Sequence, residues 1–144
     1  MARYLIDTDI LIDHLRGFPP AHELLGRLVL EQHDLLISVI TMIELISGAV
    51  QPGEDIRIQQ LLSGIPSVQL NDEIAVTAAL YRRKFIKKIK LGIADVIIAG
   101  TAKMMGAVLM TRNRKHFPMD DIRVHVPYSS DARAVIKVTR QKSS

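Results

Sequence analysis

Three acidic residues stand alone in apolar sequence. Asp7 closes the run Tyr4-Leu5-Ile6, Glu44 is the only charged residue between Asp34 and Glu54, and Asp95 is the sole acid of the stretch from Gly92 to Ala99. A carboxylate in such surroundings is costly unless a partner meets it. Acids brought together repel, and a divalent cation removes the repulsion. Oxygen ligands with no Cys and no paired His suit Mg²⁺ or Mn²⁺ better than zinc. Mg²⁺ keeps waters and takes further ligands from phosphate, the arrangement used to hydrolyse phosphodiesters. A fourth cluster, Thr111-Arg112-Asn113-Arg114-Lys115-His116, follows another apolar run and supplies Asn, His and three cations.

The elements that must position these residues are short strands alternating with helices. Residues 3–7, 35–38, 67–70, 107–111 and 123–126 read as strands. Helical spacing spans about 8–16, 19–33, 41–49, 54–63, 72–90 and 93–105, with Gly17 and Gly106 as stops, Pro19-Pro20 in a first turn and Asn71 or Asp72 as an N-cap. Such alternation predicts a mainly parallel α/β sheet with helices on both faces, and a ligand crevice at the carboxyl ends of its strands. Asp7 falls at that edge, with Asp9 and Asp13 in the helix that follows.

The chain has 144 residues, 48% of them apolar, enough for one domain with an aliphatic core. Cysteine is absent, which excludes disulfides, thiolate catalysis and Cys-based zinc sites. No signal peptide is visible and no apolar run is long enough to span a bilayer, so the expectation is a soluble cytoplasmic protein. The net charge of +4 is patterned. A basic ridge holds Arg82, Arg83, Lys84, Lys87, Lys88 and Lys90, and residues 129–144 form a basic tail without a clear period, set apart from a domain over 1–128. Such patches attract a polyanion, although a charge run is also what any solvated helix face carries.

Each acid has a plain structural alternative. Asp7 or Asp9 could cap a helix, Asp95 could answer a helix dipole, and Thr41-x-x-Glu44 is a capping-box pattern. His116, taken alone, suits a surface turn.

The four segments together resemble the PIN-domain family. Asp7-Thr8-Asp9 resembles its opening Asp-Thr-Asn or Asp-Thr-Asp, Ser38-Val39-Ile40-Thr41-Met42-Ile43-Glu44-Leu45 its Ser-x-x-Thr-x-x-Glu-Leu segment, and the segments at Asp95 and at Thr111–Phe117 its third and fourth motifs. Length and the fourth motif look most like the VapC-type toxins of toxin–antitoxin pairs. The resemblance implies a three-layer α/β/α sandwich with a short central sheet, Mg²⁺- or Mn²⁺-dependent endoribonuclease activity, homodimerisation, and inhibition by a small antitoxin protein. Asp7, Glu44 and Asp95 match the catalytic metal-binding acids. Thr8 and Thr111 match supporting positions. Asn113 stands where many members have Asp, and His116 where VapC relatives often have Asp or Glu. Asn113 therefore joins the expected metal ligands in place of a fourth acid, with Asp9 as a further ligand. Arg112, Arg114 and Lys115, then Arg83 and Lys87, are expected to hold RNA. Two other readings remain at this point. One is a non-catalytic PIN-like module that binds RNA or protein. The other is a haloacid-dehalogenase-like phosphatase with Asp7 as nucleophile and Asp120-Asp121 as its later acidic pair.

Overall fold

The computed structural model describes residues 2–129, so the basic tail expected over 129–144 lies, beyond Ser129, outside the described residues. Five short strands form one parallel sheet: β1 (Arg3–Ile6), β2 (Asp34–Ser38), β3 (Ser67–Val68), β4 (Val108–Met110) and β5 (Val124–His125), in the order β3-β2-β1-β4-β5. Parallel neighbours need long crossovers. Helices supply most of them: α1 (Thr8–Leu15), α2 (Pro19–Leu30), α3 (Val39–Ser47), α4 (Glu54–Ser63), α5 (Asp72–Phe85) and α6 (Ile93–Met105).

Strand side chains alternate between faces, and the core divides accordingly. Leu5, Leu36 and Leu109 pack against Ile74, Ala78 and Tyr81 of α5 and Val96, Ile98 and Ala102 of α6. Ile6, Leu35, Ile37 and Met110 pack on the other face against Ile10 and Leu11 of α1, Leu24, Leu25 and Leu28 of α2, Leu45 of α3 and Ile58 of α4. These are the three layers expected. The chain steps outward from β1 through β2 to β3, then returns to the other side of β1 for β4 and β5. Chain direction across the sheet thus reverses between β1 and β4, which opens a crevice at their carboxyl ends.

Three helices differ from their sequence-based bounds. α3 begins at Val39, because the Ser38 hydroxyl accepts from the Ile40 N–H and caps it. Thr41 is therefore inside the helix and fully buried, and the capping box with Glu44 does not form. α2 stops at Leu30, where Gln32 takes a left-handed φ of 59° and the His33 N–H reaches back to the Leu28 carbonyl, a Schellman closure. α5 stops at Phe85, short of residue 90. A tight turn, with the Lys88 and Ile89 N–H groups on the Phe85 carbonyl, brings Ile89 and Leu91 back onto the core. Among the described residues no helix is long and apolar enough to cross a membrane.

Helices α5 and α6 approach closely at Gly100, where a Cβ would lie 3.1 Å from the Ile74 carbonyl and 3.3 Å from the Ala78 nitrogen. Only backbone borders that point, so no side chain can swing away. Gly100→Leu is expected to cost about 1–3 kcal/mol in urea denaturation, the usual range for overpacking; an unchanged midpoint would show that the helices can part freely.

Candidate active site

Asp7 is the first residue after β1 and the N-cap of α1. Its N–H continues the sheet by bonding the Met110 carbonyl at 2.9 Å, which ties it to the strand on the far side of the reversal. The carboxylate is buried. Oδ1 accepts the Thr8 N–H at 2.8 Å, and Oδ2 accepts the Thr111 hydroxyl at 2.7 Å.

Asp9 stands beside it in the first turn of α1. Its Oδ2 accepts the Arg112 N–H and the Asn113 Nδ2, each at 3.1 Å, with the Thr111 hydroxyl at 3.3 Å. The Thr111 oxygen in turn accepts the Asn113 N–H at 3.1 Å. Asp9 Oδ1 is buried and accepts no hydrogen bond from the described residues. Burial lifts the Asp7 carboxyl to about 7; the Asp9 and Asp95 charges add to the push, against the hydrogen bonds from Thr111 and Thr8. Burial also raises Asp9, opposed by the backbone N–H and the guanidinium of Arg112.

The other two acids join less directly. Glu44, on an exposed turn of α3, accepts the Thr8 hydroxyl at 2.8 Å, and that hydroxyl lies 3.0 Å from the Thr41 oxygen. Asp95 sits in the first turn of α6, 27% exposed, with His116 Nδ1 at 3.9 Å. Asp7, Asp9, Thr111 and Asn113 thus form one tight cluster, with Glu44 linked through Thr8 and Asp95 through its field on Asp7.

Among the described residues no three His, Asp or Glu side chains enclose a common point closely enough to hold an ion by themselves. Mg²⁺ does not require that, since it keeps several waters. The donor set nevertheless fits a divalent cation. Burial pushes both neighbouring carboxylates toward protonation, the Asp9 charge adds to the push on Asp7, and one of their oxygens has no donor among the described residues, a situation that a cation relieves.

The expected RNA contacts divide. Lys115, Arg83 and Lys87 are exposed. Lys87, Lys88 and Lys90 line a cleft of about 650 Å³, which is also lined by Gly92, the N-cap of the helix bearing Asp95. Arg114 donates to the Val124 carbonyl at 2.9 Å and braces β5. Arg112 turns inward: its Nε lies 2.7 Å from Asp13 Oδ2, and its side chain is 14% exposed. Asn113 acts as a donor to Asp9, not as a fourth carboxylate. Asp121, offered by the phosphatase reading, is taken up elsewhere. It binds the Tyr81 hydroxyl and Lys103, and Lys103 is eight residues along α6 from Asp95, roughly 12 Å of helix.

Sequence reasoning gave no site role to Asp13 or Tyr128 and read Thr41 as a capping-box residue, not as a partner of Thr8. Asp13 gave a usable signal. It is four residues from Asp9, so both project from one face of α1, and a fully buried acid demands partners.

A parallel sheet of this order with acids at its point of reversal is the arrangement of a PIN domain. The PIN domain family profile matches residues 4–122, and the chain belongs to this family. It is 35% identical over 117 residues to a protein named Ribonuclease VapC19 from Mycobacterium tuberculosis, covering 80% of this chain and 92% of that one. It is also 35% identical over 116 residues to Ribonuclease VapC10 from the same organism, covering 80% and 86%. Among solved structures it resembles a chain of a toxin–antitoxin complex from Klebsiella pneumoniae, with TM-score 0.72, 31% identity and coverage of 88% and 98%. It also resembles a chain of VapBC-1 from nontypeable Haemophilus influenzae, with TM-score 0.73, 27% identity and coverage of 87% and 98%.

A titration follows from the burial of Asp7. Between the ordinary carboxyl value and about 7, the folded chain keeps a proton that the unfolded chain has lost. Stability in chelator should therefore fall as pH rises from about 4 to 7. Mn²⁺ should restore it most above pH 7, where Asp7 is ionised and binding needs no proton release. A melting temperature in chelator that rises across that interval would contradict the burial argument.

Proposed function

We propose that this chain is a metal-dependent endoribonuclease and the toxin of a VapBC-type toxin–antitoxin pair. The observation that carries the reading is the buried Asp7–Asp9 pair at the β1/β4 reversal, with one carboxylate oxygen lacking a donor. The names of the relatives support the activity, and the toxin–antitoxin titles of the structural neighbours support an antitoxin partner. Such a toxin meets its RNA in the cytoplasm.

Asp7, Asp9 and Asp95 would hold Mg²⁺ or Mn²⁺, with Glu44 and the Asn113 amide at its margin. When bound, the ion supplies a Lewis acid that activates water and neutralises charge on the scissile phosphate. Thr111 and Thr8 fix the carboxylates: the first keeps Asp7 Oδ2 and Asp9 Oδ2 side by side, and the second spans α1 and α3. Lys115 and the ridge bearing Arg83 and Lys87 would hold flanking phosphates, a contribution that weakens with salt. Two exposed apolar faces suit the two protein contacts of this reading, an antitoxin and a second copy. One holds Ile43 and Ile46 on α3; the other is the groove lined by Leu70, Ile86 and Ile93 beside α5 and the start of α6.

Purified protein should cleave single-stranded RNA with Mg²⁺ or Mn²⁺ and stop when the ion is chelated. Asp7→Asn or Asp95→Asn should lower the rate roughly a hundredfold or more, as loss of a metal ligand does. Cleavage that survives both substitutions sinks the acidic-cluster mechanism. No cleavage of any of several RNAs, with RNA binding retained, favours the non-catalytic module.

Expression without an antitoxin should arrest growth, and Glu44→Ala should relieve the arrest at equal protein level. Harmless wild-type expression counts against the toxin role and leaves the nuclease role standing.

A further inference from the structure

We propose that Arg112 is a positioning residue of the metal site and not an RNA contact, and that Asp13 and Tyr128 hold it in that role. This rests on the metal-site reading above.

The geometry forms a closed ring. Arg112 is bound to α1 at two successive turns. Its backbone N–H donates to Asp9 Oδ2 at 3.1 Å, and its guanidinium Nε pairs with Asp13 Oδ2 at 2.7 Å. Asp9 and Asp13 are one helical turn apart on the same face. Two attachments to a rigid helix fix both the place and the tilt of the peptide between Thr111 and Asn113. That peptide carries the hydroxyl that bonds Asp7 and the amide that bonds Asp9. With it fixed, both donors lie on the Oδ2 side of Asp9, and Oδ1 is left without one.

Asp13 is itself held. It is fully buried, and the Tyr128 hydroxyl donates to its Oδ2 at 2.8 Å. The Tyr128 ring lies edge-on to Phe18 at 5.3 Å, so the chain beyond β5 braces the acid against the end of α1. An ion pair this desolvated stabilises a fold little compared with apolar packing. What it adds is attachment: the 2.7 Å ion pair between buried groups anchors the Arg112 side chain to α1, although Nε does not meet Oδ2 with the alignment of a hydrogen bond. To reach a phosphate, Arg112 would have to leave Asp13 and strand a buried charge.

The test is titration of purified, metal-free protein with Mn²⁺ alone, by calorimetry, beside RNA binding without metal as a function of salt. Asp13→Asn and Arg112→Gln should each weaken Mn²⁺ binding by roughly tenfold or more, the usual effect of removing a group that orients a ligand. Arg112→Lys, which keeps the charge but carries it on a flexible ammonium in place of the planar guanidinium, should fall between. The salt dependence of RNA binding should match wild type in all three. The double variant Asp13→Asn/Arg112→Gln leaves no unpaired buried charge. It carries the same Mn²⁺ measurement if a single variant fails to fold. The proposal is overturned if the folded variants bind Mn²⁺ as wild type does. It is equally overturned if Arg112→Gln lowers the salt slope by about one, as loss of a phosphate contact would. Wild type that binds no Mn²⁺ removes the metal-site reading itself and this proposal with it, which separates the two failures.

Discussion

Two carboxylates held side by side out of water are the constraint on which the rest of this structure depends. Burial raises the proton affinity of both Asp7 and Asp9, and the Asp9 charge raises that of Asp7 further. Left alone, such a pair would protonate or swing apart. Four donors offset the tendency: the Thr8 N–H, the Thr111 hydroxyl, the Arg112 N–H and the Asn113 amide. One comes from the start of α1 and three from the segment after β4. Only a sheet that places β1 beside β4 brings those segments together, and the order β3-β2-β1-β4-β5 does so. The topology therefore serves the acids by delivering donors from a part of the chain about a hundred residues away.

The same constraint explains what was legible beforehand. The strands and helices could be read because their apolar residues have the right period and their ends carry Pro19, Asn71 and Gly106. Asp7, Glu44 and Asp95 could be read because isolated acids stand out against apolar neighbours. Helix ends set by tertiary packing could not. α5 stops at Phe85 because Ile89 and Leu91 are worth more on the core than in another helical turn, and no local pattern records that preference. Ser38 and Thr41 are both plausible caps by type. The choice of Ser38 turns on Thr41 being needed beside Thr8, a contact between residues 33 apart in the chain.

Arg112 shows a second limit. A cation next to a catalytic motif reads as a phosphate contact, and three of them in Arg112, Arg114 and Lys115 read as a patch. The structure divides the three. One cation is internal, one braces an edge strand, and one is exposed. Charge counts along a sequence cannot make that division, because it depends on whether an acid waits within reach in the fold. Asp13 does, four residues from Asp9 on α1.

The absence of an acid at 113 also has a physical reading once Asp9 is in view. The Asn113 amide donates to the same Asp9 oxygen that takes the Arg112 N–H. A carboxylate at 113 would face Asp9 with like charge and nothing between them to share. Conversely, an amide at position 9 would give up an acid and leave a carboxylate at 113 to replace it. The PIN-like pattern allows either Asn or Asp two residues after Asp7, and commonly has Asp at the fourth position. In this chain the acid stands at 9 and the amide at 113, and the two meet across the reversal. Counted residue by residue, the site lacks an acid at its fourth position. Across the β1/β4 crevice, Asp9 supplies a carboxylate on α1 beside Asp7, and Asn113 supplies a donor to it.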